Sequence, residues 1–281
     1  MAIWIIIILG IVQGASEFLP VSSSGHLVLF YNIFNITDNT ILLSVILHVA
    51  TLLAVVLCYY KQIFELIKNP FCETNKKLLV ATIPTVIIVI LLKSLVEKTF
   101  SGDFIIIGFL ITALVLLISQ IKENKVNKLK NKYFVTQPNI YLSKNHNITN
   151  LNISYKQALL IGTAQGIAVF PGISRSGSTI ATGLISGVSK QEVADFSFLL
   201  SIPIIIGGLL FELIDVVKGE ASLNIGWLSL SVGFLFSFIS GLVCIKLMLK
   251  FVKSKKLTWF SLYLVLLSTF LILNKYFLFL F

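Results

Sequence analysis

The sequence predicts an all-α polytopic membrane protein built from two inverted-topology repeats, each a re-entrant helical hairpin followed by three transmembrane helices. Three observations carry this. The 281 residues are 57% hydrophobic and only 12% charged, with a mean hydropathy of +0.96, whereas a soluble domain is about a quarter charged. Several apolar runs approach or exceed the roughly 20 residues that a helix needs to cross a hydrocarbon core. The chain also resembles itself. At an offset of 152, Gly10, Gln13, Gly14, Phe18, Ser22, Ser24 and Gly25 align with Gly162, Gln165, Gly166, Phe170, Ser174, Ser176 and Gly177, seven identities in sixteen positions. Internal symmetry of this kind marks membrane folds made of two related halves.

The apolar segments run in order over about 2–19, 27–36, 41–60, 78–96 and 104–121, then 157–170, 180–188, 194–217, 223–249 and 257–281. The basic stretch 122–156 separates a first repeat, 1–121, from a second, 157–281, within a single membrane domain, 1–281. In each half the first two segments are too short to span comfortably and flank a polar insert. A hairpin that dips into the membrane and returns to its own side fits them, because non-helical backbone at membrane depth is tolerated where protein buries it or it lines a wet cavity. The three longer segments that follow are full spans. Three is odd, so the second repeat enters from the opposite side and is inverted.

Lysine placement agrees with this parity. Lys61, Lys68, Lys76, Lys77, the seven lysines from Lys122 to Lys156, Lys190, Lys250, Lys253, Lys255 and Lys256 all fall on one side, against Lys98, Lys218 and Lys275 on the other. The lysine-rich side is cytoplasmic by the positive-inside rule, and both termini are external. The same reading accounts for the net charge of +10 without a nucleic-acid partner. Cys58, Cys72 and Cys244 show no metal-ligand spacing and read as small hydrophobes or spare thiols. One arginine, Arg175, stands among 22 basic residues, and it lies in the second polar insert.

The two inserts carry the chemistry. In QGASEFLPVSSSGH, residues 13–26, Gln13 and Glu17 are four apart and share a helix face. A carboxylate at membrane depth needs a partner or a wet cavity. Pro20 ends the helix, Ser22, Ser23 and Ser24 suit the N-cap of the next, and His26 begins that helix. In FPGISRSGST, residues 170–179, Pro171 and Gly172 turn the chain, Ser174, Ser176, Ser178 and Thr179 supply hydroxyls, and Arg175 supplies a cation. Under the repeat alignment Glu17, Ser23 and His26 lie opposite Val169, Arg175 and Ser178. Two hairpins meeting near the midplane therefore pool acid, base and nucleophile from one half with a cation and hydroxyls from the other. Helix N-termini favour anions and an arginine fork matches phosphate oxygens, so the pooled site suits phosphate inside a membrane. Elsewhere, His48 reads as a polar residue satisfied between helices or as a neighbour of the site. Asp195 reads as the cap of the helix it begins or as a group that orients a site residue.

The stretches QGASEFLPVSSSGH, PGISRSGST and FSFLLSIP closely resemble those of the integral-membrane undecaprenyl-diphosphate phosphatases linked to bacitracin resistance, and the resemblance covers essentially the whole chain. The first family motif, Glu or Gln followed four residues on by Glu, falls on Gln13 and Glu17. The family's histidine and its nearby serine fall on His26 and Ser23, and its arginine motif falls on Ser174, Arg175 and Thr179. The resemblance implies hydrolysis of undecaprenyl diphosphate to undecaprenyl phosphate for cell-wall synthesis, dependence on Mg²⁺ or another divalent cation, and a site reached from the outer face of a bacterial plasma membrane.

The expected assignment follows. Glu17, with Gln13, holds the metal. Glu17, Ser23, His26 and Arg175 are catalytic. Ser22, Ser174, Ser176 and Thr179 bind the substrate, a polyprenyl diphosphate whose tail lies among membrane lipids. The attacking group is Ser23 activated by His26, or a water activated by His26 or Glu17. A transporter or flippase for a polyprenyl phosphate is the alternative, since inverted repeats with broken helices are also a transporter pattern. A homodimer is left open.

Overall fold

The computed structural model describes residues 2–36, 40–97, 99, 102–133, 147–217, 225–254 and 257–278. Among these the chain is helical throughout, with no strand. The helices are α1 (Ile3–Phe18), α2 (Ser23–Ile33), α3 (Thr40–Cys58), α4 (Tyr60–Lys68), α5 (Glu73–Glu97), α6 (Gly102–Tyr133), α7 (Tyr155–Ile167), α8 (Arg175–Ile185), α9 (Lys190–Val217), α10 (Trp227–Ser254) and α11 (Leu257–Leu273). Five of them (α5, α6, α9, α10 and α11) are long and apolar enough to cross a membrane, and α3 with α4 makes a sixth candidate bent by 75°. The short helices α1–α2 and α7–α8 form the two expected hairpins, offset by 152 residues at Ser23 and Arg175.

Each break is closed by a serine. Ser22 caps α2 by accepting the amide of Gly25 at 3.3 Å, and Ser174 caps α8 by accepting the amide of Gly177 at 3.1 Å. Each capping hydroxyl also lies 3.3 Å from the serine two residues on, Ser24 or Ser176. The tight turns differ. In the first break Ser22 itself takes φ 71°, a region unusual for a residue with a side chain; in the second, Gly172 takes φ 85° two residues before the cap. From α6, Thr112 donates to the Gly172 carbonyl at 3.2 Å and accepts the Ser174 amide at 2.9 Å, which fixes the second break.

The hairpins are gripped by helices of the other half: α1 packs on α10 and α7 packs on α5. Both contacts depend on the glycines shared by the repeat. A Cβ on Gly14 would sit 2.2 Å from the Ser237 carbonyl oxygen of α10, and one on Gly162 would sit 2.0 Å from the Ala81 carbonyl oxygen of α5. Small residues let helix backbones approach this closely in membrane bundles. The exchanged packing is compatible with a twofold relation between the halves. The main apolar core lies between α3, α7, α8, α9 and α10, where Phe196, Phe198, Ile161, Ile180 and Ile245 are buried. Outward-facing side chains such as Leu91, Leu114, Leu228 and Leu266 are exposed and apolar, as a lipid-facing surface requires.

Three local expectations change. The stretch 61–77 contains α4, which leaves the end of α3 at a steep angle and exposes Phe64 and Ile67. The basic stretch 122–156 is partly helical, because α6 continues to Tyr133 and α7 begins at Tyr155; residues 134–146 lie outside the described ones. Asp195 is not a helix cap. Helix α9 starts at Lys190, and Asp195 is buried inside it, accepting a hydrogen bond from Tyr59 at 2.9 Å.

Candidate active site

The two breaks meet around Glu17. This carboxylate ends α1, is only 1% exposed, and pairs directly with the Arg175 guanidinium across 158 positions of sequence. Its other oxygen accepts the Ser23 hydroxyl at 2.6 Å and the Gln13 amide nitrogen at 3.1 Å. Position explains the geometry. Ser23 and Arg175 are the first residues of α2 and α8, so both lie at a helix N-terminus beside the carboxylate. One guanidinium nitrogen, Nη1, is buried without a hydrogen-bond partner. Removing one member of a buried ion pair strands the other charge and costs on the order of 3–5 kcal/mol.

A cavity of about 260 Å³ opens from this cluster. Its polar end is formed by Glu17, Ser22, Ser23, Ser24, Ser174 and Arg175; its other arm runs between α5 and α9 and is lined by apolar side chains including Val86, Ile90, Ile204 and Leu209. Gly207 and Gly208 leave open space along that arm, since a Cβ on either would meet nothing within 4 Å. A polar head site therefore continues into a slot whose walls suit a hydrocarbon chain.

The remaining assigned residues fall in different places. Ser176 donates to the Leu19 carbonyl at 3.1 Å and lines a smaller adjoining cavity. Thr179 is buried away from both cavities; its hydroxyl donates within α8, to the carbonyls of Arg175 and Ser176, and meets Ser197 at 2.6 Å. It steadies the first turn of α8 and lines neither cavity. Gln13 lines neither cavity and acts on Glu17 from behind.

His26 requires the main correction. It does not face Ser23 or the cavity. Its Nδ1 meets the Ser22 carbonyl at 2.7 Å, its Nε2 meets the Tyr263 hydroxyl at 2.7 Å, and its ring packs against Phe109 and Tyr263. Both nitrogens are engaged on the side of α2 that faces α6 and α11, leaving neither for a proton at Ser23. The imidazole at the site is that of His48. Its Nδ1 is tied to the Ser44 carbonyl at 2.8 Å, and its Nε2 points at Glu17 from 3.8 Å. A lone histidine in an apolar span was the available sequence signal, and it did not separate this role from packing. Gln165 also faces the cavity, marked in the sequence only by its match to Gln13.

No group of three or more His, Cys, Asp or Glu side chains among the described residues could hold a metal ion. The cavity offers one carboxylate, Glu17, and the unpartnered amide oxygen of one residue that lines it, Gln165; the unpartnered oxygen of Gln13 lies behind Glu17, outside the cavity lining. That donor set fits Mg²⁺ shared with substrate phosphates, which binds through one or two carboxylates and keeps several waters. It does not fit a cage made by protein alone.

Comparison with known proteins shows the family. A family model described as "Bacitracin resistance protein BacA" matches residues 6–270. The chain is 36% identical over 259 residues to an undecaprenyl-diphosphatase of Carboxydothermus hydrogenoformans, covering 92% of this chain and 91% of that one. It is 39% identical over 283 residues to an undecaprenyl-diphosphatase of Methanosphaera stadtmanae, covering 92% of each, and 38% identical over 258 residues to undecaprenyl-diphosphatase 3 of Bacillus cereus, covering 91% of each. Matched over nearly its whole length and through both hairpins, the chain belongs to the BacA bacitracin resistance protein family.

Proposed function

We propose that this protein is a membrane phosphatase that hydrolyses undecaprenyl diphosphate to undecaprenyl phosphate and inorganic phosphate, in the plasma membrane of a bacterium with both termini outside. The observation that carries the reading is the Ser23 hydroxyl donating to Glu17 while Glu17 pairs with Arg175 beside a cavity that is polar at one end and apolar at the other. The diphosphate occupies the polar end, and the prenyl chain follows the slot between α5 and α9.

Phosphoryl transfer rests mainly on positioning and charge stabilisation, and the residues divide accordingly. Arg175 presents its spare Nη1 to the terminal phosphoryl group, and the N-termini of α2 and α8 favour the same negative charge. As the phosphoryl group draws on Arg175, Glu17 is less neutralised and becomes a better base. Ser23 Oγ attacks the terminal phosphorus while its proton passes to Glu17. The bond from phosphorus to the bridging oxygen breaks, and undecaprenyl phosphate leaves with that oxygen. Water then cleaves the phosphoserine, releasing phosphate, and Ser23 regains its proton. Mg²⁺ would be held by Glu17, which Gln13 orients, and when bound it would neutralise charge on the diphosphate oxygens. A carrier for the same lipid needs the anion-binding groups but not a hydroxyl poised on a carboxylate.

The test uses purified protein and a short-chain isoprenyl diphosphate, with phosphate release followed with and without Mg²⁺. Ser23→Ala and Glu17→Gln should each lower turnover by at least about a hundredfold, the scale of a lost nucleophile or base. Near-normal turnover in Ser23→Ala would hand the attack to water, and absence of phosphate release by the unaltered protein would overturn the reading.

A further inference from the structure

Gln165 carries an unpartnered acceptor beside a cavity whose polar end holds Glu17 and Arg175. The residue is 3% exposed and lines both the main cavity and the smaller one beside it, in company with Glu17 and Arg175 in each. Its amide nitrogen donates to Thr85 Oγ1 at 3.3 Å. The Thr85 hydroxyl has already committed its proton, lying 2.7 Å from the Gly162 carbonyl and 2.9 Å from that of Ala81. Toward Gln165, then, Thr85 can only accept. The amide is thereby oriented, nitrogen on Thr85 and oxygen free, and Oε1 is buried with no partner.

A diphosphate at neutral pH brings oxygens that accept, and a prenyl chain brings no polar group. An unpartnered acceptor among them calls for a cation, because against phosphate it would be repulsive. The counterpart in the other repeat shows the same arrangement turned elsewhere: Gln13 Nε2 is tied to Glu17 and its Oε1 is also unpartnered, but Gln13 lines neither cavity. Of the two equivalent amides, the one that faces the reaction space belongs to the second repeat.

We propose that Gln165 Oε1 is a ligand for the divalent cation, completing with Glu17 the protein's share of a site whose other ligands are substrate phosphate and water. This rests on the phosphatase reading above. It gives each hairpin one oxygen donor to the cation, and it moves the amide ligand from Gln13 to Gln165.

The experiment measures Mn²⁺ retained by the purified full chain in detergent, from the loss of the free-ion paramagnetic signal, with methylenediphosphonate as a diphosphate that cannot be hydrolysed. The unaltered protein should hold Mn²⁺ in its presence. Gln165→Met should raise the apparent Kd for Mn²⁺ by at least about tenfold, and Gln165→Glu, which keeps an oxygen at that place, should bind as tightly or more tightly. Thermal unfolding without Mn²⁺ checks that each variant is folded, and if Gln165→Met does not fold, the opposite sign expected of Gln165→Glu still decides. Unchanged Mn²⁺ affinity in Gln165→Met, weaker binding in Gln165→Glu, or no Mn²⁺ held by the unaltered protein overturns the proposal. If the unaltered protein turns over substrate and yet Gln165→Met binds Mn²⁺ normally, the cation assignment alone fails. If it releases no phosphate, the phosphatase reading fails with it.

Discussion

At the scale of single residues, the lone arginine gives the sharpest test. If Arg175 only balances Glu17, lysine serves nearly as well, and the chain uses lysine at every other basic position. If its fork holds Glu17 with one nitrogen and phosphate with the other, lysine is not equivalent. Arg175→Lys should therefore insert and fold yet lose at least about tenfold in kcat/KM, on the order of 1.4 kcal/mol of transition-state stabilisation. Adding Glu17→Gln to Arg175→Ala should recover stability, by removing both buried charges, without recovering turnover; rescued activity would make the pair merely structural. The imidazoles separate in the same way. His26 anchors α2 to Tyr263 and the Ser22 carbonyl, so His26→Gln should weaken thermal stability and keep turnover within about tenfold, whereas loss of a true general base removes about 10²–10⁴. The meeting of Glu17, Ser23 and Arg175 is legible in the sequence because a charge in lipid must meet a partner or water. The place of His26 is not, because position near a helix start does not say which way the ring turns. That is set by α6 and α11, contributed from far along the chain.

At the scale of elements, the hairpins were legible because prolines and capping serines interrupt apolar runs, and the repeat fixed their equivalence. The glycines in that repeat turn out to set distances between helices, something identity alone does not reveal. Gly162→Ala would drive a methyl into the Ala81 carbonyl, so α7 must move away from α5. A loss of about 1–3 kcal/mol, typical of overpacking, is expected, measurable as earlier thermal unfolding in detergent; unaltered stability would show that α7 and α5 do not pack this closely. Helix α4 and the extension of α6 are not legible in the sequence, because their lysines and polar residues read as loop, while amphipathic helices at an interface carry the same residues. The slot between α5 and α9 makes a different prediction. Gly208→Leu should fill open space along the apolar arm, raising KM for a long-chain diphosphate several-fold and leaving a short-chain one nearly unaffected. Equal effects on both would remove the tail from this slot.

At the scale of the whole molecule, the orientation expected in the membrane rests on charge and on an odd number of spans in each half. Six candidate spans with two re-entrant hairpins would return the chain to its starting side after the second repeat, and the two termini would then share a side. The lysines then choose which side: the stretch 122–156 is rich in them and the approach to α6 is not, and short lysine-rich loops stay cytoplasmic. On that topology the stretch before α6 should lie outside. Single cysteines introduced as Asn145→Cys and Gly102→Cys, in a chain whose Cys58, Cys72 and Cys244 have been replaced, should label from opposite faces of intact cells. An impermeant thiol reagent should reach Gly102→Cys from outside and reach Asn145→Cys only after permeabilisation. The three native cysteines are free, so their replacement by serine or alanine breaks no disulfide. If the first hairpin crossed the membrane as a single span, every later element would be reversed, and the reagent would reach Asn145→Cys from outside and Gly102→Cys only after permeabilisation. That reversed pattern would reject a re-entrant first hairpin, whereas labelling of both from outside would show that α6 does not cross the membrane, and either result would overturn the arrangement of three crossings after a re-entrant break in the first half.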